Sequence, residues 1–137
     1  MKLAIVDDNK LEQELIFNTL RTYEHERNIS LDISSYSDGN SFLNTYVPGD
    51  FDLIFMDIYL NELNGIDIVR KIRQMDSKVI IVFLTTSKEY IFEAAPFHFF
   101  DYILKPFEST QIFHVLDDAL ALLPEQEAEL SFEYRSF

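Results

Sequence analysis

Five side chains have types and positions that could do chemistry together. They are the adjacent carboxylates Asp7 and Asp8 in VDDN, Asp57 in FMDIYLNELNG, the hydroxyl of Thr85 in FLTTS and the ammonium of Lys105 in DYILKPF. Each follows a short apolar run. Three carboxylates brought into one partly desolvated cleft repel, so their pKa values rise or a counterion is required, and a hard divalent cation with oxygen ligands meets that need. Mg2+ is the expected ion, because it keeps some waters and leaves a position for a phosphoryl oxygen. A hydroxyl donor and an ammonium are the further groups such a phosphoryl would use. The chemistry these residues suit is phosphoryl transfer to the carboxylate of Asp57 beside a cation held by Asp7 and Asp8. Taken singly they mean less: Asp8 or Asn9 could be only a turn former or helix cap, and Thr85 only a strand-end residue of high β-propensity.

To converge, these residues must sit at the same rim of a sheet. The apolar runs Lys2–Val6, Leu31–Tyr36, Asp52–Met56, Val79–Leu84 and Asp101–Leu104 alternate with longer amphipathic stretches, the pattern of a parallel sheet covered by helices on both faces. LAIV, LIFM and VIIVFL are apolar at every position, as central strands buried on both faces are. Helical spacing places Leu11, Leu15, Leu20 and Tyr23 near one face. The same holds for Ile66, Val69 and Ile72, and for Ile112, Val115, Leu116, Ala119 and Leu123. A shorter helix is expected over Asp38 to Tyr46, with Asp38 and Ser41 as caps and Pro48 and Gly49 after it, and Asn64 or the turn before it should cap a helix near Gly65. The fold class is therefore α/β, a doubly wound five-stranded parallel sheet of flavodoxin-like type, with ligands at the carboxyl ends of its strands. A cis Lys105–Pro106 bond would help aim the lysine.

The 137 residues, 47% of them apolar, suffice for one core, read here as residues 1–123. There is no cysteine, so no disulfide or thiolate metal site, and His25, His98 and His114 lack metal-ligand spacing. A net charge of -13 argues against nucleic-acid binding by this segment alone and favours a cation or a basic protein partner, although Glu12, Glu14, Glu125, Glu127 and Glu129 read as solvated surface. No apolar run is long enough to cross a bilayer and MKLAIVDD lacks a signal-peptide pattern, so a cytoplasmic location is expected. Residues 124–137 read as a charged linker followed by LSFEYRSF, which is either the first strand of an absent output domain or a frayed tail.

The order VDDN, FMDIYLNELNG, FLTTS, DYILKPF resembles the receiver domain of two-component response regulators, over about Lys2 to Leu123. The resemblance implies that Asp57 accepts phosphate from a sensor histidine kinase. It makes Asp8 a direct Mg2+ ligand, Asp7 a ligand through water and the backbone carbonyl of Tyr59 a further ligand. Thr85 and Tyr102 match the family's switch pair, in which the ring turns inward as the hydroxyl moves toward phosphate; simple edge-strand packing is the plainer role for Tyr102. The fourth helix, fifth strand and fifth helix would then form the surface that changes, giving a homodimer contact or a grip on an output domain. The C-terminal segment resembles that of regulators with a LytTR-type DNA-binding output, which would make the whole protein a transcription regulator touching DNA only through that missing domain. On this reading the chain is a switch, not an enzyme, acting only on its own aspartate.

Several positions depart from the family's pattern. Thr86 replaces a small residue beside the pocket, Tyr59 puts a bulky ring at its edge, Phe99 stands where a small residue is expected, and Pro96 interrupts the stretch Ser87 to Phe97. Phe92, Phe97, Phe99, Phe100 and Phe113 add aromatic surface, of which one or two rings should be exposed. Three other readings compete. An aspartate-nucleophile phosphatase needs a second Asp two residues after the nucleophile, but Asn9 and Tyr59 stand there. A flavin or nucleotide domain needs a Gly-rich loop after the first strand, which is lacking. A stand-alone phosphorelay carrier would differ only beyond Phe137.

Overall fold

The computed structural model describes residues 1–61 and 63–123. Along the chain run β1 (Lys2–Val6), α1 (Lys10–Arg27), β2 (Asp32–Tyr36), α2 (Gly39–Thr45), β3 (Leu53–Met56) and α3 (Gly65–Met75). They are followed by β4 (Ile80–Thr85), α4 (Ile91–Ala94), a 3-10 turn (Ala95–Phe97), β5 (Asp101–Leu104) and α5 (Ser109–Leu122). The five strands are parallel in the order β2-β1-β3-β4-β5. The chain winds outward from β1 in both directions, so the order reverses between β1 and β3 and opens a crevice at their carboxyl ends.

Alternation of side chains along the inner strands divides the core in two. Leu3, Ile5, Leu53, Phe55, Val82 and Leu84 face α1 and α5, while Ala4, Val6, Ile54, Met56, Ile81 and Phe83 face α2 and α3. Each inner strand has a helix layer on both sides, which is why LIFM and IIVFLT are buried at every position. The edge strand β2 carries Ser34 and Ser35 and is only partly covered. Caps set the helix starts: the side chains of Asn9, Asp38 and Asn64 accept N–H groups from Glu12, Asn40 and Ile66.

Some expectations are corrected. The strands begin at Asp32, Leu53 and Ile80, one residue later than expected, and β4 runs on to Thr85. The inward face of α1 is Gln13, Ile16, Leu20 and Tyr23; Leu11 and Leu15 are 71% and 55% exposed. At 3.6 residues per turn Leu11 lies about 140° around the helix from Ile16, so the two cannot share a buried face. The fourth helix shrinks to one turn, and Pro96 falls in the 3-10 turn that replaces its end. Among the extra aromatics Phe92 is 90% exposed, whereas Phe97, Phe99, Phe100 and Phe113 pack against the two cores. The Lys105–Pro106 peptide is cis. The linker and strand read at residues 124–137 lie outside the described residues.

Candidate functional site

Sheet hydrogen bonds continue one residue past three strands and so fix where the functional residues start. The N–H of Asp7 donates to Tyr36 O (3.0 Å), that of Asp57 to Val6 O (3.0 Å) and that of Lys105 to Thr85 O (2.7 Å). Asp7, Asp57, Thr85 and Lys105 are thereby tied to adjacent strand ends on one rim. Asp7, Asp8 and Asp57 each bring a carboxylate oxygen into a cluster whose atoms all lie within 4.8 Å of one another. Asp7 and Asp57 are buried and Asp8 is half-buried.

The Lys105 side chain is largely covered as well. Its Nζ lies 2.8 Å from Asp7 Oδ2 and 3.5 Å from Asp57 Oδ2, so it reaches both carboxylates and is held chiefly by Asp7. The other Asp7 oxygen accepts the Asn9 N–H at 2.9 Å, and Asp57 Oδ1 accepts a longer bond, 3.3 Å, from the Tyr59 N–H. Burial pushes the Asp57 carboxyl up to about 6; Lys105 opposes the rise, and the charges of Asp7 and Asp8 add to it. Burial also works against the Lys105 ammonium, but the hydrogen bond to Asp7 and the charge of Asp57 outweigh it and hold the lysine above its ordinary value. One ammonium faces three carboxylates, and this anionic, oxygen-only donor set suits a hard cation such as Mg2+.

Thr85 Oγ1 is buried and finds no hydrogen-bond partner among the described residues. Tyr102 stands on the neighbouring strand, its ring against Phe83 and Phe99 and its hydroxyl donating to Ser87 O at 2.5 Å. Tyr59 is 43% exposed at the lip, and Thr86 is exposed.

Two site residues escaped the sequence reading. Gln13, buried on α1, donates from Nε2 to Asp7 O (2.5 Å) and Ser37 Oγ (2.8 Å), pinning the turn that carries both first-strand carboxylates. Only its place in a helix that otherwise buries apolar residues could have flagged it. Gly65 packs its α-carbon against the backbone of Asp57 and Ile58 so closely that a Cβ would run into the Asp57 carbonyl. A glycine eight residues after an Asp carries no signal of that contact by itself.

A doubly wound parallel sheet with a carboxylate-rich pocket at its switch point places the domain in the flavodoxin-like class. The sequence matches the family described as Response regulator receiver domain over residues 3–117, and the chain belongs to that family. It is 34% identical over 116 residues to protein MrkE of Klebsiella pneumoniae, covering 85% of this chain and 42% of MrkE. It is 31% identical to the transcriptional regulatory protein YpdB of Escherichia coli K12, covering 93% of this chain and 50% of YpdB. The sensory transduction protein LytR of Staphylococcus saprophyticus is 30% identical, with 94% and 50% covered. The chain thus spans about half the length of the curated relatives it matches. The crystal structure of the response regulatory domain of mrkE from K. pneumoniae superposes with a TM-score of 0.76 at 32% identity, covering 89% of this chain and 97% of that one. The receiver domain of the sensor histidine kinase PA1611 from Pseudomonas aeruginosa PAO1, whose structure has magnesium coordinated in the active-site cleft, shares the fold with a TM-score of 0.74 at 23% identity, covering 88% and 97%. No described helix is long and apolar enough to cross a membrane.

Proposed function

We propose that the domain takes a phosphoryl group from a sensor histidine kinase onto Asp57 and that the change switches a downstream output domain. The observation that carries this reading is the gathering of Asp7, Asp8 and Asp57 within 4.8 Å, with Lys105 Nζ in contact with two of them. Mg2+ is the cation we assign to Asp7, Asp8, Asp57 and the backbone carbonyl of Tyr59; when bound it supplies neutralising charge to the transferring oxygens. Asp57 attacks phosphorus in line with the phosphohistidine nitrogen: the new P–O bond forms as the P–N bond breaks, and the electron pair stays on the imidazole. Lys105 meets the charge that develops on the phosphoryl oxygens, so this chain contributes a nucleophile, positioning and electrostatics.

The Thr85 hydroxyl, buried with no partner among the described residues, is the group we assign to donate to a phosphoryl oxygen. Its inward shift would draw on the loop after β4, to which Tyr102 is hydrogen-bonded through Ser87, and the ring would turn inward with it. α4, β5 and α5 are then the surface that alters a homodimer contact or the hold on the output domain. The half-length match to YpdB and LytR supports a longer protein over a stand-alone relay carrier, and a LytTR-type DNA-binding output is the reading we favour.

Incubation with acetyl phosphate and Mg2+, followed by intact-mass spectrometry, tests the site. The parent protein should gain one phosphoryl group and Asp57→Asn none; equal labelling of the two would sink the assignment.

A further inference from the structure

Asp7 is tied down at every polar atom it has. Its N–H donates to Tyr36 O, its Oδ1 accepts the Asn9 N–H and its Oδ2 takes the Lys105 ammonium. Its carbonyl oxygen accepts from Gln13 Nε2 at 2.5 Å. That last bond fixes the plane of the Asp7–Asp8 peptide, because a carbonyl and the N–H that follows it belong to one rigid unit. Asp8 is the carboxylate that depends on it. Among the described residues no hydrogen bond or ion pair holds the Asp8 side chain, so its direction is set by the backbone. Gln13 itself lies one turn into α1, with its backbone N–H on Asn9 O. It is 5% exposed, on a face otherwise made of Ile16, Leu20 and Tyr23. An apolar side chain would fill that position without the desolvation cost of an amide, so packing alone does not account for it. Nε2 also donates to Ser37 Oγ at 2.8 Å, which gives the amide N–H groups two acceptors. Ser37 is exposed and directly follows β2, the edge strand on the far side of β1 from Asp57. One amide thus joins the acidic turn after β1 to the loop after β2.

We propose that Gln13 is a positioning residue for the acidic cluster and sets the affinity of Asp7 and Asp8 for a divalent cation by holding their turn against Ser37. The inference rests on the reading of Asp7, Asp8 and Asp57 as a Mg2+ site. Gln13 supplies no group to the reacting atoms; it acts through the Asp7 carbonyl. Without the amide, the turn keeps the sheet bond of the Asp7 N–H on one side and the Asn9 cap of α1 on the other, and the Asp7–Asp8 peptide can rotate between them. Carboxylates that now converge within 4.8 Å then have to be gathered as the cation arrives, and that ordering cost appears as weaker binding. Asp57 and Lys105 stand on other strands, so once the cation is in place the transfer step proceeds as in the parent.

The test compares the full chain with Gln13→Met, which keeps length and bulk and deletes the donors, with Ser37→Ala, with Ser37→Thr, and with Gln13→Met combined with Ser37→Ala. Mg2+ binding to the unphosphorylated protein is titrated calorimetrically, and urea unfolding without divalent cation records stability separately. Gln13→Met should bind Mg2+ about tenfold more weakly, the lower end of what losing the partner behind a metal ligand costs. Ser37→Ala should weaken binding about threefold, as the loss of one neutral hydrogen bond does. Ser37→Thr keeps the hydroxyl and should match the parent. The double variant should bind no more weakly than Gln13→Met, because the two residues act through one chain of bonds. In labelling with acetyl phosphate, the Mg2+ concentration for half-maximal rate should rise in step, while the rate at saturating Mg2+ stays at the parent's level. Parent-like Mg2+ affinity in Gln13→Met, with stability alone reduced, would overturn the proposal and leave the amide a packing feature. Should Gln13→Met fail to fold, parent-like affinity in Ser37→Ala, a change at an exposed position, would overturn it instead. A parent that binds no Mg2+ overturns the cation reading and the role of Gln13 with it. A parent that binds Mg2+ but takes no label overturns only the phosphoacceptor reading of Asp57, and the calorimetric titrations still decide for or against Gln13.

Discussion

Lys105 Nζ rests 2.8 Å from Asp7 Oδ2, nearer than its 3.5 Å approach to Asp57 Oδ2. The ammonium therefore rests on a carboxylate of the acidic cluster, and the Asp57 oxygens keep the weaker set of partners. Parking it there offsets charge that the fold has buried at Asp7.

Replacing Lys105 by Met keeps the side-chain volume and removes that charge. Breaking a buried pair typically costs about 3–5 kcal/mol, because the remaining carboxylate is left uncompensated. Lys105→Met should lose stability of that order in urea titrations without divalent cation, and millimolar Mg2+ should recover part of it by supplying the missing positive charge. A loss that Mg2+ leaves untouched would mean the lysine acts by packing alone.

The raised Asp57 carboxyl makes a prediction of opposite sign. Its folded value of about 6 lies above the ordinary 3.8, so the folded state binds the proton more tightly than the unfolded chain does. Stability from this group is complete below pH 4 and is lost as pH rises through 6. The rise corresponds to roughly 3 kcal/mol. Asp57→Asn, which cannot ionise, should be more stable than the parent by up to about that amount at pH 7.5 without divalent cation, and the gap should close below pH 4. Thermal unfolding across that pH range checks it; a constant gap would place the cause outside Asp57 ionisation.

Much of this arrangement was legible in the sequence for a simple reason. Uninterrupted apolar runs such as LIFM leave only a doubly covered strand as a solution, and the residue after such a run lands on the rim. The bounds of β1 and β5 and the capping role of Asn64 follow from the same local rules. The face of α1 did not, because Leu11 and Leu15 are apolar yet exposed, and apolar spacing alone gives a polar residue such as Gln13 no inward weight. Arg73 was equally silent. It donates to the carbonyls of Phe97, Asp76, Val79 and His98, joining α3 to the segment before β5, and carbonyl acceptors leave no mark in a sequence. The geometry of Lys105 between two carboxylates depends on side-chain rotamers, which strand-end position does not determine.

Gly65 links packing to the pocket. A methyl group there would meet the backbone of Asp57 and Ile58, neither of which can step aside without moving the loop that carries the Asp57 carboxylate. Gly65→Ala should cost about 1–3 kcal/mol as an overpacked site and should slow labelling of Asp57 even where the protein remains folded. Ser at the same position should behave alike, since the obstruction is the Cβ itself. Parent-like stability together with parent-like labelling would show that the loop yields more easily than its contacts indicate.

Thr85 gives the sharpest separation between stability and switching. Its hydroxyl is fully buried with no partner among the described residues, a state that costs about 1–3 kcal/mol relative to a satisfied or apolar group. Thr85→Val keeps the shape and deletes the orphaned oxygen, so the unphosphorylated domain should become more stable by about 1 kcal/mol or more. The same change removes the donor proposed for the phosphoryl oxygen and should weaken the response of Tyr102, read as the change in its ring resonances when beryllofluoride and Mg2+ are added. Asp57 should still label, because its own carboxylate and Lys105 are untouched. A variant that is destabilised, or whose Tyr102 responds as fully as the parent's, would place the satisfaction of that hydroxyl, or the origin of the switch, elsewhere in the fold.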